Sequence, residues 1–168
     1  MGALVGFEVM RELRRTGARM PVSLIAASYP PPHHQRTGPV YHDAPEHILR
    51  KHLESIGGIS EELMSTFAEE GFEEEEFFEL LIPMLRADFA VYETYKYVPE
   101  PPLLSEIHVV GGAHDPYYSE SVLETWKHHT SGAFSLRLFE GDHVVVQRNP
   151  EVLAHVEQLA LRHERRNG

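Results

Sequence analysis

The sequence predicts an α/β fold in which parallel β-strands are flanked by helices and an all-helical insertion interrupts the middle of the chain. Three observations carry this. From Leu104 onward, strand-like and helix-like stretches alternate, and such alternation means parallel pairing with helices covering the sheet. The run Val22-Ser23-Leu24-Ile25-Ala26-Ala27 suits a strand buried on both faces. Between Asp43 and Tyr97 the apolar residues recur at helical spacing.

Taken in order, the first element is a helix over Gly2 to Thr16, with Ala3, Leu4, Phe7, Met10 and Leu13 at helical spacing and Gly17 as its stop. The strand around Val22 to Ala27 comes next, and Tyr29-Pro30-Pro31-Pro32-His33-His34 must be loop. Asp43 is placed to cap a helix carrying Ile48, Leu49, Leu53 and Ile56, which ends at Gly57-Gly58. Ser60 caps a second, shorter helix to Glu70, and a longer one runs from Glu73 to about Tyr97 with a kink expected at Pro83. Pro99, Pro101 and Pro102 close the insertion. Then come a strand over Leu104 to Val110, a helix over Ser119 to His129, a strand over Phe134 to Phe139 and a helix over Pro150 to His163. The boundaries expected are 1–42 and 98–168 for the α/β core and 43–97 for the insertion.

Composition narrows the function. A chain of 168 residues that is 42% hydrophobic supports one core of useful size. It has no cysteine, which removes disulfides, thiolate nucleophiles and zinc–thiolate sites. Its net charge of −11 argues against a nucleic-acid partner, which needs clustered Lys and Arg. Ten Glu and no Lys or Arg fall between Glu54 and Leu85, while Arg11, Arg14, Arg15 and Arg19 gather near the N-terminus; a solvated acidic surface is the simple reading. No apolar run is long enough for a membrane span, and Met1 to Met10 do not read as a secretion signal. A soluble, cytoplasmic protein is expected. The twelve histidines include the adjacent pairs His33-His34 and His128-His129 but no His-x-x-x-His, so neither a metal site nor a cofactor is expected.

In open parallel sheets, functional groups gather beyond the carboxyl ends of the strands. Two such loops stand out, Gly111-Gly112-Ala113-His114-Asp115-Pro116 and Glu140-Gly141-Asp142-His143. An acid after one strand and a histidine after the next can meet at one edge of the sheet. A carboxylate on one imidazole nitrogen fixes the tautomer and leaves the other nitrogen as a base. Read without further context, Asp115 equally suits a cap on the turn into the next helix, and His143 a surface loop.

The opening Met1-Gly2-Ala3-Leu4-Val5-Gly6-Phe7-Glu8, the stretch Leu81 to Phe89, Pro101-Pro102-Leu103, Gly111-Gly112-x-x-Asp115-Pro116, Trp126 and Gly141-x-His143 follow one another along the chain, and in that order they resemble type II thioesterases of nonribosomal peptide and polyketide synthesis. The opening Met1-Gly2-Ala3-Leu4-Val5-Gly6-Phe7-Glu8 is similar to the segment directly after the nucleophile in that family's Gly-His-Ser-Met-Gly-Ala elbow. Ile56-Gly57-Gly58, the stretch Leu81 to Phe89, and Glu93-Thr94-Tyr95 resemble its lid helices. Pro101-Pro102-Leu103, Gly111-Gly112-x-x-Asp115-Pro116, Trp126 and Gly141-x-His143 occur in the family's order. The resemblance implies a partial α/β-hydrolase fold, with the insertion as an all-helical lid and Phe77, Leu80, Leu81, Met84 and Phe89 available to line an acyl chamber. It implies release of acyl groups from the phosphopantetheine arm of an acyl or peptidyl carrier protein. His143 would be general base and then acid, Asp115 its orienting partner, and the backbone of Met1 an oxyanion donor.

The family's serine would stand immediately before Met1, and no Gly-x-Ser-x-Gly occurs in the 168 residues. The resemblance therefore corresponds to the C-terminal two-thirds of such an enzyme, N-terminally truncated, and the chain alone is expected to be inactive. The alternative is a non-catalytic protein that binds a carrier protein or another partner. Asp142-His143-Val144-Val145 departs from the family's Gly-His-Phe-Phe and offers His143 a competing carboxylate. Self-association through an exposed sheet edge is also expected.

Overall fold

Helix α1 (Gly2–Thr16) buries Leu4, Phe7, Met10 and Arg11 along one face, and Gly17 ends it in the left-handed conformation at φ 67°. In this computed structural model, which describes residues 1–55, 59, 61–71 and 73–167, the chain divides into two units. The first comprises Met1–His34 and Tyr97–Gly168, the second Gln35–Lys96.

The first unit is built on a parallel sheet of order β1-β2-β3, formed by β1 (Ser23–Ala27), β2 (Glu106–Gly112) and β3 (Phe134–Phe139). Ala27 pairs with Val110, and Gly112 with Phe139. Period-2 alternation sends Leu24, Ala26, Ile107 and Val109 to one face, against Phe7 and Met10 of α1 and against Leu123 and Trp126. Val110 and Phe139 face the other way, against Val145 of the short helix α6 (Val145–Arg148) and Val152 of α7 (Pro150–Asn167). A methyl group on Gly6 would stand 3.2 Å from Leu24 Cδ1, so glycine lets α1 lie close on β1. Burial on both faces is what a parallel sheet requires, and the α/β-hydrolase type of arrangement expected from the sequence is present.

The second unit holds α2 (Glu46–Ser55), α3 (Glu61–Glu69) and α4 (Glu74–Glu93). Its core is Leu49, Leu53, Phe77, Phe78, Ile82 and Phe89. Of the residues expected to line an acyl chamber, Phe77 and Phe89 are in this core, Leu81 packs against it, and Leu80 and Met84 are exposed. The Glu93 carboxylate, with no exposed side-chain surface, accepts the N–H groups of Tyr41 and His42, contacts His42 Nδ1 at 2.6 Å and pairs with Arg36 at 3.1 Å. Burial pushes this carboxyl up, but those donors together hold it below its usual range.

Several boundaries differ from expectation, each for a visible reason. β2 lies two residues later than the predicted strand, because Leu103 and Thr130 form a separate bridge and leave Leu104 85% exposed outside the ladder. The helix predicted over Ser119 to His129 is α5 (Glu120–Glu124) continued by a tighter 3₁₀ turn, Thr125–His129, which buries Trp126 and His129. Asp43 lies in a turn, since the first bonds of α2 close on the Pro45 carbonyl. α4 ends at Glu93, short of the expected Tyr97, and contains Pro83. Ile56, the stop at Gly57-Gly58 and the cap at Ser60 lie outside the described residues. No helix among the described residues is long and apolar enough to cross a membrane.

The arginines of α1 are fasteners. Arg11, Arg14 and Arg15 all converge on Glu100, with Arg11 at 2.6 Å and Arg14 at 2.5 Å. Hydrogen bonds from Arg15 and then Arg11 hold the Glu100 carboxyl down at about 2. Beside them, His33 Nδ1 and His129 Nε2 share a hydrogen bond of 2.6 Å. His129 also meets the rings of Phe7, Trp126 and Tyr97 edge-on.

Burial, with the neighbouring His33, His128 and Arg11, pushes His129 down to about 4, and His33 is lowered for the same first reason. Below the ordinary histidine value near 6.5 the unfolded chain therefore binds more protons than the folded one. This contribution is fully present above that pH and is lost as pH falls toward about 4. The thermal midpoint is expected to drop by a few degrees between about pH 7 and about pH 5. His129→Gln, which cannot titrate, should flatten that part of the curve in a differential scanning experiment; an unchanged slope would remove His129 from the account.

Candidate active site

The loops after β2 and β3 are laced together by backbone hydrogen bonds. Ala113 N–H donates to the Phe139 carbonyl at 2.8 Å, and His114 N–H to the Gly141 carbonyl at 2.9 Å. The approach is so close that a methyl group on Gly112 would lie 2.1 Å from the Asp142 carbonyl oxygen. Gly141 sits at φ 138°, a conformation that L side chains rarely adopt. On the surface, His114 Nε2 meets Glu140 at 2.9 Å and adds a side-chain tie between the same loops.

This lacing brings Asp115 and His143 together. The Asp115 side chain has no exposed surface, and its Oδ2 meets His143 Nδ1 at 2.8 Å. Its other oxygen accepts the N–H groups of Tyr117 at 2.8 Å and Tyr118 at 3.2 Å. Asp115 is thus both the cap of its turn and the partner of the imidazole. Three donors fix the carboxylate, and the carboxylate fixes the ring. Nε2 of His143 is left for other work, on a side chain 36% exposed. Asp142 is occupied elsewhere: its Oδ1 accepts the Val144 N–H at 3.0 Å, and the imidazole's carboxylate partner is Asp115.

Met1 stands just before α1, and its carbonyl accepts Leu4 N–H at 2.9 Å. Among the described residues, no three or more His, Asp or Glu side chains are arranged to hold a metal ion. Sequence reasoning did not single out three features of this site. They are the close approach at Gly112, the His114–Glu140 tie, and the rings of Tyr117 and Tyr118 at 5.0 Å and 6.0 Å from the His143 ring. The glycine doublet directly after a strongly apolar strand was the available signal for the first.

Gly112→Ala forces the two loops apart, because the clashing atom is backbone that cannot rotate away. The variant is expected to lose about 1–3 kcal/mol of stability, as overpacked sites do. It should also break the Asp115–His143 hydrogen bond, visible as loss of the downfield Nδ1–H proton resonance in NMR. Retention of that resonance at wild-type stability would show that the loops can separate freely.

With the geometry in hand, comparison with known proteins is direct. The thioesterase domain family matches residues 1–159. The chain is 35% identical over 161 residues to linear gramicidin dehydrogenase LgrE of Brevibacillus parabrevis, covering 96% of this chain and 59% of LgrE. It is 31% identical over 143 residues to gramicidin S biosynthesis protein GrsT of Aneurinibacillus migulanus, covering 85% of this chain and 53% of GrsT. The solved structure of RedJ, a thioesterase of the prodiginine biosynthetic pathway in Streptomyces coelicolor, matches with TM-score 0.78 at 30% identity. That match covers 92% of this chain and 59% of RedJ. The chain therefore spans 53–59% of these relatives' lengths. The family match takes in the whole of the sheet and both laced loops, and the chain belongs to the thioesterase domain family.

Proposed function

We propose that this chain supplies the Asp–His half of a thioesterase site acting in the cytoplasm. The site would release acyl groups from the phosphopantetheine arm of carrier proteins in nonribosomal peptide or polyketide synthesis. The observation that carries the reading is the buried Asp115 carboxylate on His143 Nδ1 at the carboxyl edge of a parallel sheet. Membership of the thioesterase domain family supports it, as does similarity to proteins named for gramicidin and prodiginine biosynthesis.

In the reaction, His143 Nε2 takes the proton of a serine hydroxyl as that oxygen attacks the thioester carbon. The C–S bond breaks, the imidazolium returns its proton to the leaving thiolate, and an acyl-serine ester remains. Water then repeats the sequence on the ester, with His143 again base and then acid. Asp115 keeps the Nδ1 proton in place and stabilises the imidazolium. The backbone of Met1 is the oxyanion donor in this reading. No Gly-x-Ser-x-Gly lies within the 168 residues, and in this reading another polypeptide segment supplies the serine. The helical unit Gln35–Lys96 is assigned as the lid, and its exposed Leu80, Met84 and Val91 at helical spacing along α4 as the apolar face offered to an acyl chain.

The 168-residue chain is expected to hydrolyse acyl-pantetheine thioesters no faster than its His143→Ala variant. Adding a polypeptide that carries the family's serine elbow should restore turnover. His143→Ala and Asp115→Asn should each then lower the restored kcat by about 10³-fold or more. Restored turnover that survives both substitutions would overturn the assignment.

The outer edge of β1 is the surface we assign to self-association, through pairing with β1 of a second copy. Among the described residues β1 pairs with β2 alone, and an open edge of apolar parallel sheet is a template for another strand. Light scattering should show dimers or larger species that Ile25→Pro disperses. A monodisperse monomer at high concentration contradicts this.

A further inference from the structure

The laced loops do more than hold His143: two tyrosine rings from the loop after β2 stand against it, and rings from the loop after β1 back them. Tyr117, just beyond β2, meets the His143 ring edge-on, with centroids 5.0 Å apart and planes at 78°. Tyr118 lies 6.0 Å from the same ring. Tyr118 in turn meets Tyr29 at 6.4 Å and His34 at 6.1 Å, both from the loop after β1. The outer ring, Tyr117, is 53% exposed.

This wall is held rigidly. Asp115 Oδ1 grips the backbone of both Tyr117 and Tyr118. The turn bearing Tyr29 is pinned on two sides, by Ser28 N–H on the Val110 carbonyl at 2.8 Å and by Trp126 Nε1–H on the Tyr29 carbonyl at 2.9 Å. Ser28, at φ 43°, is the one non-glycine residue with positive φ among the described residues, and its buried hydroxyl has no hydrogen-bond partner among them. A strained residue with an unsatisfied buried hydroxyl costs stability. The strain is tolerated where it sets Tyr29 behind Tyr118.

We propose that Tyr117 and Tyr118 are specificity-determining residues, which select thioesters whose acyl group carries an aromatic ring close to the carbonyl. The inference rests on the thioesterase reading above. In that reaction the scissile carbonyl lies within reach of His143 Nε2. A ring attached to the carbonyl then falls beside the exposed Tyr117, whose centroid is 5.0 Å from the imidazole. Rings at 4.5–7 Å in tilted or edge-on arrangements attract one another beyond the effect of buried area, which a flexible alkyl chain does not reproduce. The wall around His143 is already built in that geometry, and its outermost ring has room for one more.

The test uses the 168-residue chain and two non-hydrolysable probes, benzoyl and octanoyl groups joined to pantetheine through an amide. Calorimetry gives the affinities, and the His143 ring resonances report where each probe sits. The benzoyl probe is expected to bind about threefold to tenfold more tightly and to shift the His143 resonances. Tyr117→Leu should lose that factor for the benzoyl probe while leaving the octanoyl probe unchanged, and Tyr117→Phe should keep it. If both probes shift His143 with equal affinity, the selectivity is absent although the thioesterase reading stands. If Tyr117→Leu weakens both equally, the ring holds the pantetheine side and the inference falls. If neither probe binds or perturbs His143, the inference falls, while the thioesterase reading stands or falls on the turnover restored by the serine-bearing polypeptide.

Discussion

The contact on which this site depends is between two backbones. Gly112 at the end of β2 lies so close to the Gly141–Asp142 peptide that no side chain fits between them. Only there can Ala113 and His114 donate to carbonyls of the neighbouring loop. Those bonds carry Asp115 to within 2.8 Å of His143 Nδ1. The parallel register of β2 and β3, with Gly112 opposite Phe139, sets the height of both loops. A shift of one residue would turn every side chain of the strand to the opposite face and separate the acid from the histidine. Packing of Val110 and Phe139 against Val145 and Val152 holds that register.

Charge plays a second role, away from the dyad. Two carboxylates, Glu100 in the sheet unit and Glu93 in the helical unit, each tie a segment without regular structure to a helix of the same unit. Glu100 ties the proline-rich stretch to α1 through three arginines. Glu93 holds the backbone at Tyr41 and His42. A loop rich in proline offers few N–H groups of its own to a hydrogen-bond network, so side chains must fasten it. The glutamate run Glu73–Glu76 behaves differently. All four residues are exposed; Glu73 and Glu76 close a capping box at the start of α4, and the negative charge there suits a helix N-terminus.

Aromatic and imidazole rings fill two different environments. Around His129 they are packed with Trp126 and Phe7 in a dry core, where burial disfavours the charged imidazole. Around His143 the ring is partly open, gripped by a carboxylate on one nitrogen and flanked by tyrosines. The same residue type is thereby kept neutral by packing in one place and held against a buried carboxylate with its ring partly open in the other.

Much of this was legible in the sequence. The apolar run at Val22–Ala27, the strand-like stretch at Phe134–Phe139 and the helical spacing of Leu4, Phe7 and Met10 are local patterns, and local patterns determine element type and which face is buried. The order of an acid after one strand and a histidine after the next was enough to nominate Asp115 and His143. The family order of motifs, from Gly111-Gly112 to Gly141-x-His143, made the nomination specific. Other features depended on residues far apart in the chain. Arg11 read only as one of several arginines near the N-terminus, yet it is buried against Phe7 and Tyr97 and paired with Glu100. Leu104 read as the start of a strand, yet the bridge at Leu103 places it in solvent. The choice of Asp115 over Asp142 as partner of the imidazole, and the gathering of Tyr117 and Tyr118 beside it with Tyr29 against Tyr118, rest on how three loops converge. Periodicity in the chain fixes which way a side chain faces within its own element. Which distant side chain it meets is decided by strand register and loop closure, and those exist only once the sheet has formed.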